Sequence, residues 1–261
     1  MTVFFHELKR NKLSVVIWTA AIAFMLAISI LLYPEMSTQM NEMNDMFSNM
    51  GSFSDAFGMD SLNFGEFLGY FAVECGNVLG MGGAFFAAIV GASALSKEER
   101  DKTAEFLLTH PISRCRIVTE KIFSVVAQIF LLNIGVISVA LISIFAIRES
   151  LPFQTAFWLF FSYFLMQIEI AAITFGISAL IRKGAVALGI GIAAIFYFMN
   201  ILSNLSDKVT FLKFITPFGY ADSADIVNNN CITLKYLIIG ILFSIASIGY
   251  AFYQYQKKDI H

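Results

Sequence analysis

Ser96 to Lys121 reads SKEERDKTAEFLLTHPISRCRIVTEK, a densely charged stretch between two long apolar ones. Upstream, Glu66 to Leu95 is apolar and rich in small residues; downstream, Val118 to Ile147 is apolar again. An α-helix crosses roughly 30 Å of hydrocarbon with about 20 apolar residues, so each flank predicts a membrane helix. The charged stretch between them must then face water. Ser96 and Glu99 form an S-x-x-E helix-start pattern, or else a polar extension of the helix before them. Phe106, Leu107 and Leu108 stand together before Pro111, which ends helical geometry at the residue preceding it. This pattern predicts a short helix lying parallel to the membrane and presenting an apolar knob flanked by charge, rather than a plain solvated loop.

Composition supports the same class. Of 261 residues, 58% are hydrophobic and 14% charged, against roughly 25% charged in soluble domains; the mean hydropathy is +0.74. The chain reads as an all-α polytopic membrane protein. No basic patch with interleaved aromatics points to nucleic acid. Cys75, Cys115 and Cys231 share no ligand spacing with His6, His110 and His261, so free thiols are expected and no metal site.

Working outward, residues 1–12 alternate Val3, Phe4, Phe5 and Leu8 with His6, Glu7, Lys9, Arg10 and Lys12, which predicts an interfacial amphipathic helix. Residues 13–33 form a first crossing, retained rather than cleaved. Residues 34–65 are an outer segment without Lys or Arg, in which Met36, Met40, Met43, Met46 and Met50 recur at helical spacing. Thioethers can hold soft metals, but Met is also adaptable packing, and no Cys or His joins this stripe, so packing is favoured. Further crossings are expected at 66–95, 118–147, 153–181, 184–203 and 234–255. Residues 204–233 are too apolar for a plain loop and are broken by Pro217 and Gly219, which predicts a re-entrant outer segment whose backbone must be satisfied by protein or water. Small residues in the second helix (Gly76, Gly80, Gly82, Gly83, Ala87 and Gly91) predict close helix packing. The Gly189–Gly191 pair in the fifth is read the same way.

Lys and Arg set the expected orientation. Lys9, Arg10, Lys12, Lys97, Arg100, Lys102, Arg114, Arg116, Lys121, Arg182, Lys183, Lys257 and Lys258 fall on one side, and Arg148, Lys208, Lys213 and Lys235 on the other. Thirteen against four places both termini and the central loop in the cytoplasm.

KEERDKTAEFLLTHPISRCRIVTEK resembles the cytoplasmic loop of ABC-2-type transporter permeases, whose pattern runs roughly E-x-E-x-G-T-x-E-x-L-L-x-x-P-x-S-R with a Lys several residues on. Glu98, Thr103, Glu105, Leu107, Leu108, Pro111, Ser113, Arg114 and Lys121 match; Lys102 departs from the usual Gly. FITPFGYADSADIV, Phe214 to Val227, resembles the re-entrant segment before the last helix of the same family. The resemblance implies one permease domain over 1–261, with 96–117 as a coupling loop seated on a separate cytoplasmic ABC ATPase. Phe106, Leu107 and Leu108 would be its apolar anchors, with Arg100, Glu105 and Arg114 as flanking charges. No G-x-x-x-x-G-K-[ST] occurs, so ATP and Mg would sit on that partner and the chain would not be an enzyme by itself. Two permease chains, identical or not, and two ATPase copies would make an exporter in the cell membrane.

Glu74 and Glu169 lie away from the ends of their crossings, and such residues are functional candidates by default. Glu169, with Gln167 and Asn133, is a candidate for the translocation path. The alternative for Glu169 and Glu74 is a carboxyl bonded to a hydroxyl or amide on a neighbouring helix. Glu169 also underlies a competing reading, a proton-coupled secondary transporter. A non-transporting sensor or immunity subunit on the same fold is a third.

Overall fold

The computed structural model describes residues 2–49, 62–63, 65–100, 113–181 and 183–257. Among these there is no strand. Helix α1 is Thr2–Asn49. Helix α2, Phe67–Cys75, runs through a π-helical turn, Gly76–Met81, into α3, Gly82–Arg100. Then come α4, Arg114–Ala146; α5, Phe153–Ser178; and α6, Ala185–Leu205. Two 3-10 helices, Asp207–Phe214 and Pro217–Tyr220, precede α7, Ser223–Asn229, and α8, Leu234–Lys257. Six of these segments are long and apolar enough to cross a membrane: α1, the α2–π–α3 rod, α4, α5, α6 and α8. The coupling-helix anchors Phe106, Leu107, Leu108 and Pro111, with Thr103 and Glu105, lie outside the described residues, as do the side chains of Arg100, Met40, Met43 and Met46.

Two expectations are corrected at α1. The separate interfacial helix over 1–12 is absent, because α1 is continuous from Thr2. Nothing in the sequence forces a break there: no Gly or Pro interrupts 2–33. The helix also does not end at Tyr33, since Pro34 lies inside it. Pro34 forfeits one backbone hydrogen bond, but it is exposed, and Ser37 Oγ donates to its carbonyl oxygen at 3.0 Å.

Elsewhere the boundaries follow local chemistry. Ser96 is no helix start: its hydroxyl donates back to Ala92 O at 2.7 Å, so the polar residues to Arg100 extend α3. Helix α4 begins earlier than expected, because Ser113 caps it by accepting from Arg116 N at 3.4 Å. Gly184 makes the tight turn between α5 and α6 at φ +81°, a left-handed conformation that glycine adopts without cost. Asp222 caps α7 through Ala224 N and Asp225 N, at 3.0 and 3.3 Å.

The α2–π–α3 rod is the central element, with α5, α6 and α4 packed around α3, and α1 lying along α4. Its small residues meet neighbours as expected. A side chain at Gly82 would press on Ile22, at Gly80 on Tyr163, and at Gly83 on Gln167. Helices α6 and α8 instead turn Leu188, Ile195, Phe198, Ile238, Leu242 and Ile245 outward, as lipid-facing helices do. The segment 204–233 folds back onto the bundle: Pro217, Phe218, Gly219 and Tyr220 are buried, and Thr216 Oγ1 donates to Phe196 O at 2.8 Å. Its irregular backbone is thus held against protein.

Candidate functional site

The first turns of α4 gather the ends of three other helices. Lys121 is 1% exposed. Its ammonium pairs with Glu98 of α3, donates to Ala94 O of α3 at 2.5 Å, and reaches Glu7 of α1 at 3.4 Å. One residue earlier, the Glu120 carboxylate accepts from Val3 N and Phe4 N, at 2.9 and 3.2 Å. These are N–H groups of the opening turn of α1, which lack intrahelical acceptors. Arg116 steadies the same carboxylate at 2.9 Å. Arg114 donates to Tyr255 O and Gln256 O, at 3.3 and 3.0 Å. A cation at the carbonyl end of α8 complements both its unsatisfied acceptors and its dipole. Lys97 closes the ring by donating to Asn11 Oδ1 at 2.9 Å.

The exit of the central loop is therefore bonded directly to α1, α3 and α8. Glu98 and Arg114, both expected to meet a partner, are placed at the base of the loop in contacts within the chain. Among the described residues, Lys97, Arg114, Arg116, Lys121 and Lys257 all belong to this one end. The sequence pattern had pointed to Glu98 and Lys121 separately. It held nothing to pair them with Glu7, a residue 114 positions from Lys121.

The intramembrane polar residues separate into two sites. Asn133 Nδ2 of α4 donates to Gln167 Oε1 of α5 at 2.6 Å, and Gln167 Nε2 approaches Leu79 O of the π-helical turn at 3.5 Å. Both residues are buried, so they tie three helices together. Glu169 lies two residues on, about 200° around the helix, and faces the other way. Tyr220 donates its hydroxyl to Glu169 Oε2 at 2.9 Å, and a side chain at Gly240 of α8 would strike the same carboxylate. Burial, then the neighbouring Glu169, raise the Tyr220 hydroxyl well above its usual pKa, which keeps it a donor. The Glu74 carboxylate accepts from Ser29 Oγ of α1 at 3.0 Å. Each membrane carboxyl thus has a hydroxyl partner on another element, and Glu169 does not converge with Gln167 and Asn133.

A prediction follows for Glu169. Glu169→Gln retains an acceptor for Tyr220 and should unfold within a few degrees of the native chain. Tyr220→Phe should lose about 1–3 kcal/mol, because the Glu169 acceptor stays buried without its donor. Thermal unfolding in detergent micelles measures both.

No group of three or more His, Cys, Asp or Glu suited to a metal ion occurs among the described residues, and Cys75, Cys115 and Cys231 are free thiols. No curated protein and no solved structure matches the chain. A family model described as ABC-2 family transporter protein matches residues 1–260. With six crossing helices and essentially the full length matched, the chain belongs to the ABC-2 transporter family, as a multi-pass membrane permease component that is not itself catalytic.

Proposed function

We propose that this chain is the membrane half of an ATP-driven exporter, working as a dimer and coupled through residues 96–117 to a separate cytoplasmic ATPase that holds ATP and Mg. The observation that carries this reading is the bonding at the start of α4. A loop pushed by a partner can move the bundle only if its ends are fixed to several helices. Lys121, Glu120 and Arg114 fix its exit to α3, α1 and α8 respectively. Displacement of the loop would then shift three helix ends together, instead of being absorbed by a slack connection.

The chain lacks a phosphate-binding loop of its own, which supports placing ATP on the partner. The excess of Lys and Arg at the loop end supports a cytoplasmic position for that end and for both ends of the chain. Phe106, Leu107 and Leu108 are the proposed apolar anchors in the ATPase, with Arg100, Thr103, Glu105 and Pro111 shaping their helix.

Co-expression with candidate ABC ATPases tests this, using a Leu107→Asp/Leu108→Asp variant beside the native chain. The native chain should co-purify with an ATPase, and the variant should lose it or fail to change its ATP turnover. Native chain that binds none of the ATPases, with a variant that behaves identically, would overturn the coupling reading.

A further inference from the structure

A partly open cavity of about 50 Å³ lies between the π-helical turn, α5, α6 and the segment 204–233. That is room for a few water-sized groups, since one needs roughly 10–15 Å³ on this measure. Its polar lining includes Asn77, Tyr163, Tyr197, Asn200, Asp222 and Ser223, with Asn204 at its edge. Asn77 and Tyr163 each stand ten residues inside their helices from the end opposite the central loop. At 1.5 Å per residue that depth is about 15 Å, so this wall of the cavity reaches well into the bundle, while Asn204 on the opposite wall stands one residue from the end of α6. The π-helical turn that presents Asn77 is a feature frequent at functional sites.

The bonding inside leaves one buried acceptor unused. Tyr197 spends its hydroxyl proton on Asn77 Oδ1 at 3.4 Å. Asn204 Nδ2 donates to Asp222 Oδ2 at 3.0 Å, and Tyr163 donates to Ser223 Oγ at 3.2 Å. Asn200 Oδ1 is buried without any hydrogen-bond partner. A buried acceptor left without a donor is destabilising, and a bound donor would relieve it. The lining holds one carboxylate and no Lys or Arg among the described residues, and the rings of Tyr163, Tyr197 and Phe218 form part of its wall. A carboxylate, a spare amide oxygen and aromatic faces together favour a cation that carries N–H donors.

We propose that this cavity binds the ammonium group of an organic amine, with Asp222 and Asn200 accepting its N–H bonds and the chain's aromatic rings beside it. As a cargo site it rests on the transporter reading; as a binding site it does not. The test uses the full chain in lipid nanodiscs with no ATPase present, so its failure leaves the ATPase-coupling reading untouched. The probe is n-butylammonium chloride, titrated by calorimetry and thermal unfolding against n-butanol, potassium chloride and empty nanodiscs.

The expected result is saturable amine binding that raises the unfolding temperature and weakens at least tenfold in both Asn200→Leu and Asp222→Asn. Asn is a competent helix cap, so Asp222→Asn removes the charge while α7 keeps its start. Asn200→Asp, which adds a carboxylate, should tighten binding. Three outcomes overturn the proposal: no saturable binding beyond that of empty nanodiscs, equal binding of n-butanol, or displacement of the amine by potassium at equal concentration. Amine binding unchanged in a folded Asp222→Asn variant overturns it equally.

Discussion

Lys121→Met is expected to be the most damaging single substitution in the described part of the chain. Methionine fills much of the same volume, so the loss is of charge and hydrogen bonds rather than of packing. It leaves Glu7 and Glu98 facing one another in a site where they are 6% and 7% exposed, and takes from Ala94 O the side-chain donor it has beside its own helical bond. Breaking one side of a buried ion pair costs about 3–5 kcal/mol, because the remaining charge stays desolvated. Here one cation serves two carboxylates. The triple variant Lys121→Met/Glu7→Gln/Glu98→Gln removes all three charges and should recover a large part of the loss, since a neutral set avoids that penalty. Unfolding by denaturant titration in micelles, read by circular dichroism, measures both. A Lys121→Met chain within about 1 kcal/mol of native would show that the cluster is hydrated and holds nothing together.

The same cluster shows what the sequence could and could not convey. Six crossings, the polar loop between the second and third, and the sorting of basic residues to one end are all legible, because they depend on length, hydropathy and charge along the chain. The continuity of α1 is not. Basic residues beside Phe and Leu at positions 3–12 read equally as a surface helix or as the start of a crossing. The choice is made by α4, whose Glu120 satisfies the opening N–H groups of α1. Pro34 misled for a related reason. Proline is disfavoured inside a helix, but one missing bond on an exposed face does not end a long apolar rod.

Polar residues within crossings were found by type but not by company. Gln167 and Glu169 are adjacent enough in sequence to suggest one path, yet their helical positions send one to Asn133 and the other to Tyr220. Both partnerships depend on how α5 is rotated against its neighbours, which no local pattern encodes. No pattern in the sequence marks Asn77, Asn200 or Asp222 as parts of one site. Each is an ordinary amide or acid in its own segment, and they become a lining only when the π-helical turn, α6 and the segment 204–233 meet.

Glycine packing gives the second large effect, and here the sequence reading divides. Gly91→Leu should strongly destabilise the bundle, while Gly191→Leu should leave it nearly unchanged. Any side chain at Gly91 would strike Thr174 Oγ1 and Ala171 O of α5, with Ala171 Cα 3.0 Å from the first added carbon. Two of those atoms are backbone, so no rotamer change relieves the contact, and α3 must move away from α5. Overpacking of this kind costs about 1–3 kcal/mol and sometimes more; a leucine against backbone falls at or beyond the upper end. The displacement would also part Gly189 of α6 from Ala88 and Ala92, where an added carbon would stand 3.0 Å from Ala88 O. Gly191, two residues along α6, has nothing within 4 Å of an added carbon. It was read with Gly189 as packing, and only Gly189 packs; Gly191 faces outward with the lipid-exposed residues. Leucine there removes glycine's helix penalty of about 1 kcal/mol without meeting a neighbour. Paired unfolding curves for the two variants decide the matter. Equal losses would place Gly191 in an interface with another chain, because only a second protein surface could make that open face sensitive to size.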